Sequence, residues 1–296
     1  MPDIAAWNKC DNRCVMCTNM SSFSAQDSAQ YRLKGQVEKL ERYLRGARVY
    51  GKNADRADYV SLTGGEPTLH PEFFQLLNYF RRRLPGTPIT LLSNGRRFAD
   101  RRFASRFAAA ARPPFAAAIA LHGPAPRVHD AVAGVRGAFA QTVRGIKNLL
   151  ELAPDLGLEI RIVLHGKSVA AFPRTLAFLL KKFPDTARYC LSVVHYEIEG
   201  MSDKNHRQVG LKFSASSAAL RGATPLLKKF RNPRLYHFPV CQVSAELRPL
   251  CRVTLPREER IYPPVCRGCA ARRKCLGLML EYYKKFGDAE LRPVKR

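Results

Sequence analysis

Ile4-Ala5-Ala6-Trp7-Asn8-Lys9-Cys10-Asp11-Asn12-Arg13-Cys14-Val15-Met16-Cys17 sets a short apolar run directly ahead of three cysteines held within eight residues. The run Ile4 to Asn8 predicts a first strand, and the thiols follow at its carboxyl end. Three closely spaced thiolates suit a four-iron cluster that keeps one iron open for another ligand, whereas a zinc site would need a fourth donor from elsewhere.

Working outward, short β-rich runs alternate with longer segments of helical period, the pattern of βαβ units around a parallel sheet. The further strands are predicted at Tyr59 to Thr63, Ile89 to Ser93, Phe115 to Leu121, Leu158 to His165 and Tyr189 to Ile198. Phe73, Leu76, Leu77, Phe80 and Leu84 predict a helix over Pro71 to Leu84 with Pro71 in its first turn. Phe139, Val143, Ile146 and Leu150 mark a second helix, and Phe172, Leu176, Leu179, Leu180 and Phe183 a third. Six strand-helix units fit a doubly wound sheet or an incomplete barrel; in both, ligands bind at the carboxyl ends of the strands. Past residue 200 the chain becomes polar and then proline-rich, so a boundary is expected there, with residues 1–200 as the catalytic domain and 201–296 as a small irregular one.

At the carboxyl end of the second predicted strand stands Gly64-Gly65-Glu66-Pro67. Two glycines let backbone approach a ligand closely, and Glu66 offers an acceptor for a cationic amine; a plain strand-to-helix turn would read alike. Together with Cys10-x3-Cys14-x2-Cys17, this motif resembles the radical S-adenosylmethionine (SAM) superfamily. The resemblance implies an α/β fold, a partial (β/α)6 radical SAM barrel, with a [4Fe-4S] cluster on Cys10, Cys14 and Cys17. Reductive cleavage of SAM at its open iron would release a 5′-deoxyadenosyl radical that abstracts hydrogen from substrate. It also implies an external electron donor of flavodoxin or ferredoxin type.

Matching the family's SAM contacts residue by residue places Gly64, Gly65 and Glu66 at the methionyl amine, Met16 beside the adenine, and Ser93 and Asn94 at ribose and carboxylate. Arg161 is a candidate from the residues themselves. It lies on the face of the fifth strand opposite Ile160, Ile162 and Leu164, where burial would demand a carboxylate partner, either a bound ligand or an internal acid such as Glu159. His122 stands where family members carry a small polar or acidic residue and reads as a pocket lining rather than a base. No catalytic side chain is singled out.

Five more cysteines lie near the carboxyl end, Cys241, Cys251, Cys266, Cys269 and Cys275, while Cys190 stands alone in the sixth strand and reads as core. A four-cysteine zinc knuckle would look similar. In company with the front triad, Cys266-x2-Cys269-x5-Cys275 resembles the C-terminal SPASM and twitch domains, which carry auxiliary [4Fe-4S] clusters. With no cysteine after Cys275, one auxiliary cluster is the limit. Cys241 is the expected fourth ligand and Cys251 the alternative.

A narrower likeness, through Ser93-Asn-Gly-Arg-Arg-Phe-Ala-Asp100, Gly134-Val-Arg-Gly-Ala-Phe139, Glu159-Ile-Arg-Ile-Val-Leu-His165 and Cys266 to Cys275, is to the maturases of His-Xaa-Ser repeat peptide systems. It implies post-translational modification of a peptide or protein side chain. Only nine residues precede Cys10, so no N-terminal peptide-docking domain is expected.

Composition sets the outer limits. At 296 residues, 46% hydrophobic and 25% charged, the chain is neither disordered nor fibrous. It lacks a secretory signal and any run of roughly 18 apolar residues that would cross a membrane, so a cytoplasmic protein without membrane association is expected. Fifty Lys and Arg against 24 Asp and Glu leave +26. The excess reads as a solvated Arg-rich surface or as attraction for an acidic partner, an acidic substrate peptide before RNA. An RNA-modifying radical SAM enzyme and a non-enzymatic zinc or Fe-S nucleic-acid-binding module are the alternatives to the peptide maturase.

Overall fold

The computed structural model describes residues 3–19, 27–50 and 59–295. The opening Met1-Pro2 and the final Arg296, read above for targeting and charge, lie outside the described residues. The main sheet has eight strands ordered as in sequence. They are β1 (Asp3–Trp7), β2 (Val60–Gly64), β3 (Ile89–Ser93), β4 (Phe115–Ala120), β5 (Gly157–Leu164), β6 (Cys190–His195), β7 (Pro233–Tyr236) and β8 (Cys251–Arg252). The expected α/β partial barrel is the architecture seen, with two short strands beyond the six predicted. β7 and β8 lie in the proline-rich stretch read as irregular.

Two compact units divide the chain, residues 1–13, 19–121 and 133–160 in the first, and 14–18, 122–132 and 161–296 in the second. The division falls inside β5. In the first unit β1, β2, β3 and β4 pair in parallel. Val60, Ser61 and Leu62 are all buried, so both faces of β2 are covered although apolar and hydroxyl residues alternate along it. The helix Phe73–Arg83 buries Phe73, Leu76, Leu77 and Phe80, each worth about 1.5–3 kcal/mol. Pro71 falls before this helix because Glu72 is its N-cap residue, and the Glu72 N–H is taken by His70 Nδ1 at 2.9 Å.

Two expectations shift by local hydrogen bonding. The helix Ala138–Leu152 buries Ala138, Thr142, Gly145, Ile146 and Leu149, leaving Phe139, Val143 and Leu150 half-buried. Its face is turned because Thr142 Oγ1 donates to the Asn94 carbonyl at 2.8 Å and Asn148 Nδ2 to that of Phe98 at 2.8 Å. Arg81, against the expectation of a solvated Arg-rich surface, is only 6% exposed. It donates to the carbonyls of Leu84, Thr87 and Pro114 and ties off the end of its own helix.

The second unit carries β6, β7 and β8 in parallel register and a small antiparallel pair, β9 (Arg260–Ile261) with β10 (Leu278–Met279). An aromatic core holds it. His195 stacks on Phe213 at 4.2 Å, and Tyr282 meets Phe213 at 4.2 Å and Phe286 at 4.7 Å. The Tyr282 hydroxyl accepts the Phe213 N–H at 2.9 Å and donates to Glu290, so the last helix, Leu280–Phe286, is fastened to this core. No described helix is long and apolar enough to cross a membrane.

Candidate functional site

In the first unit the candidate residues gather at the carboxyl ends of β1, β2 and β3. Gly64 has φ +118°, and a Cβ there would stand 2.3 Å from the Trp7 carbonyl oxygen; at Gly65 it would stand 2.3 Å from that of Lys9. The glycines are needed because this turn is laced onto the end of β1. Gly65 N–H donates to the Trp7 carbonyl at 2.7 Å and Glu66 N–H to that of Lys9 at 2.8 Å.

Glu66 is 1% exposed. Its Oε1 accepts from Thr68 N–H at 3.1 Å, Thr68 Oγ1 at 2.6 Å and Ser93 Oγ at 2.8 Å, while Oε2 accepts from Asn94 N–H at 2.7 Å. Burial pushes the carboxyl up from the usual range, and these donors pull it back. Glu66 thus first joins β2 to β3, and Oε2 keeps the remaining acceptor capacity. Ser93 Oγ also accepts from Gly95 N–H at 3.0 Å, so its hydroxyl is engaged on both sides.

Sequence reading missed the group that fixes the cysteine loop. Asn94 Nδ2 donates to Asp11 Oδ1 at 2.6 Å, and its Oδ1 accepts Arg96 N–H at 2.9 Å. Arg96 donates to the Asp11 carbonyl at 2.6 Å and to Asn12 Oδ1 at 2.9 Å, and pairs with Asp11 Oδ2 at 3.1 Å. Asn12 N–H in turn donates to Cys10 Sγ at 3.4 Å. Asp11 sits inside the Cys10-x3-Cys14 spacer and Arg96 directly after Ser-Asn-Gly; only that proximity to motifs could have flagged them.

Cys14 and Cys17 belong to the second unit, as does Met16, which is half-buried. Their segment is tied by backbone bonds, Val15 N–H to the Val132 carbonyl at 3.0 Å and Met201 N–H to that of Cys17 at 2.8 Å. Asn205 Nδ2 adds a bond to the Val15 carbonyl at 2.8 Å. Cys14 Sγ lies 4.0 Å from His122 Nε2. His122 is buried, and burial first, then His129, pushes its pKa down to about 3.

The rear cysteines close around a recess of about 370 Å³ including its open mouth, walled by Cys241, Cys266, Cys269 and Cys275 with Pro239 and Tyr262. Cys275 Sγ accepts N–H bonds from Val240 and Gly277, each at 3.3 Å, and Cys269 Sγ accepts one from Val294 at 3.4 Å. Burial, then Cys241, Cys275 and Cys269, pushes the Cys266 thiol up to about 11. Cys251 does not line the recess, and burial chiefly pushes its pKa up to about 12. All nine cysteines are thiols rather than disulfides, and among the described residues no three metal-type side chains already converge on an ion-sized point. Cys190 is half-buried at the start of β6 rather than core, its Sγ donating to the Asn232 carbonyl at 3.2 Å.

Arg161, half-buried on β5, places its guanidinium 5.7 Å from the ring centroid of Tyr236 at the end of β7. The adjoining His237 has φ +66°, uncommon outside glycine, and its Nδ1 lies 3.4 Å from Glu197 Oε1. The aromatic face was not legible from β5 alone, since β7 had not been recognised as a strand.

Residues 4–179 match the radical SAM superfamily. The chain belongs to that superfamily. Membership implies a SAM-binding [4Fe-4S] cluster. Among relatives, the mycofactocin maturase MftC of Mycobacterium tuberculosis is 29% identical over 182 residues, 60% of this chain and 41% of the maturase. The MftC of Mycobacterium ulcerans is 31% identical over 140 residues, covering 47% of this chain and 33% of the maturase. Among solved structures, Streptococcus suis SuiB bound to S-adenosylmethionine superposes with a TM-score of 0.56 at 18% identity, covering 79% of this chain and 49% of SuiB. The structure of anSMEcpe with bound AdoMet gives 0.54 at 18% identity, covering 78% and 63%. This chain spans less than half the length of the maturases and of SuiB.

Proposed function

We propose that this radical SAM protein is a cytoplasmic peptide maturase with one auxiliary [4Fe-4S] cluster, organised as a barrel domain over 1–200 and a twitch-like cluster domain over 201–296. The observation that carries the reading is the recess walled by Cys241, Cys266, Cys269 and Cys275, with backbone N–H groups already aimed at two of its sulfurs. Four thiols fit a four-iron cluster of this ligand count. Cys241 is preferred to Cys251 as the fourth ligand because it lines the recess and Cys251 does not.

At the front, Cys10, Cys14 and Cys17 supply three thiolates and leave one iron open to SAM. When bound, cluster and SAM supply a 5′-deoxyadenosyl radical that takes a hydrogen atom from a peptide or protein side chain. The residues of this chain orient and enclose. Gly64 and Gly65 present close backbone, and Glu66 Oε2 faces the methionyl amine with the acceptor capacity that Asn94 leaves. Asn94 orients the ribose and carboxylate side, Met16 covers the adenine, and Ser93 holds Glu66 in place. Arg161, steadied on the Tyr236 ring, receives a carboxylate.

A peptide substrate is supported by relatives named as maturases and by the solved complex of SuiB, of like fold, with its precursor peptide SuiA. The +26 charge favours an acidic one. An external flavodoxin- or ferredoxin-type protein would deliver the electron. Anaerobic reconstitution tests the reading: about eight irons per chain and dithionite-dependent release of 5′-deoxyadenosine are expected. Zinc as the sole bound metal, or iron without SAM cleavage, would overturn it.

A further inference from the structure

His122 is a buried imidazole that the proposed chemistry leaves without a task. It is 3% exposed, and its Nδ1 has no hydrogen-bond partner among the described residues. Nε2 stands 4.0 Å from Cys14 Sγ. The backbone N–H of His122 donates to His129 Nδ1 at 3.1 Å, and the two rings pack 5.0 Å apart at 41°.

A neutral imidazole has one ring proton for two nitrogens. On Nδ1 that proton would be a buried donor without an acceptor, and the Nε2 lone pair would face the sulfur lone pairs. On Nε2 it points at the sulfur and only an acceptor goes unused. A stranded buried donor costs about 1–3 kcal/mol, which selects the Nε2–H tautomer. The cationic ring would present the same Nε2–H to the sulfur, so the donor follows from the geometry of the contact.

We infer that His122 donates its Nε2–H to the Cys14 sulfur and thereby raises the reduction potential of the front cluster, an inference that rests on Cys14 being a ligand of that cluster. Hydrogen bonds to cluster sulfurs stabilise the more negative, reduced state over the oxidised one. The cluster takes one electron from the external flavodoxin- or ferredoxin-type donor, and no proton leaves His122. This residue is a positioning and tuning group, not a catalytic one.

The test uses the full chain, reconstituted anaerobically, with the front cluster identified as the paramagnetic signal lost in Cys17→Ala. In a redox titration followed by electron paramagnetic resonance, His122→Leu is expected to lower the ratio of reduced to oxidised front cluster about tenfold at fixed potential, a shift of about 59 mV for one electron. His122→Gln, which keeps an N–H donor, restores part of that loss. Equal potentials in wild type and His122→Leu overturn the inference alone; a wild-type chain that builds no cluster on Cys10, Cys14 and Cys17 overturns it together with the proposed function. A readout that needs no variant is a nitrogen coupling to the reduced front cluster in wild-type protein labelled with 15N-histidine. Its absence also refutes the contact.

Discussion

Truncating Glu66 to alanine separates an organising role from a purely ligand-binding one. The carboxylate accepts two backbone N–H groups, Thr68 at 3.1 Å and Asn94 at 2.7 Å, and two hydroxyls, Thr68 and Ser93. In Glu66→Ala the hydroxyls can rotate to other partners, but the two backbone donors cannot. Each stranded buried donor costs about 1–3 kcal/mol. Asn94 is half-buried and recovers part of its cost from water, so the expected destabilisation is about 3 kcal/mol, roughly a hundredfold in the folding equilibrium. Glu66→Gln keeps the Oε1 acceptor but turns an amide NH2 toward Asn94 N–H, for about 1–3 kcal/mol.

The assay is denaturant unfolding of the reduced apo chain, without SAM. Trp7, the single tryptophan, reports it by fluorescence; it is 6% exposed in β1, within the same compact unit as Glu66. If Glu66→Ala unfolds within about 0.5 kcal/mol of wild type, the range of an ordinary surface change, the carboxylate does not organise the strand ends and its conformation must be set by a ligand instead.

Gly65→Ala places its methyl 2.3 Å from the Lys9 carbonyl oxygen, a backbone atom that cannot swing away, and should lower stability by about 1–3 kcal/mol in the same assay; an unchanged midpoint would refute the close approach. Cys241→Ser is expected to halve the reconstituted iron, from about eight to about four per chain, while Cys251→Ser retains it; the opposite pattern in iron analysis would make Cys251 the ligand. His165 and His195 are buried, which pushes each from 6.5 down to about 3. The unfolded chain therefore binds more protons, so their contribution is full at neutral pH and is lost as pH falls from about 6.5 toward about 3. At about pH 5.5 the loss is about 1.4 kcal/mol each, roughly 3 kcal/mol together. Denaturation midpoints that stay flat between about pH 7 and 5.5 would contradict it.

Strands β1 to β5 could be read within a residue at each end, and β6 with its end placed three residues too far, because each is a short apolar run closed by a turn, and burial on both faces leaves little else for such a run to do. β7 and β8 escaped because four and two residues carry no periodicity, and Pro233 opens the first of them. Site positions at the strand ends were legible from motif spacing; the bonds that engage them were not. Glu66 was read as an open acceptor, yet two donors from its own turn and two from the end of β3 occupy it, and no local pattern announces contacts across 27 and 28 residues. Cys241 followed the reverse course. Sequence could name it only as one of two candidates; chain folding, not spacing, puts Cys241 in the wall of the recess with Cys275, and Cys251 is not part of that wall.

The arginine excess is also partly structural. Helices Phe73–Arg83 and Arg101–Ala110, with Phe98, bring Phe73, Phe74, Phe98, Phe103 and Phe107 into one cluster. Such a cluster at a helix surface needs cover that still tolerates water. Arg106 lies 4.0 Å from the Phe74 ring centroid and Arg97 4.6 Å from that of Phe103, while both residues are exposed. A guanidinium is planar and weakly hydrated, so it stacks on a ring while its edge stays wet, which a lysine ammonium does less well. Exposed ion pairs such as Arg101 with Glu151 use further cations at little net energy. Neither device cancels charge, because stacking leaves the guanidinium ionised and each pair draws on a carboxylate already counted in the net of +26. Structural use therefore explains why these residues are arginines, and it leaves the net positive field they project in place.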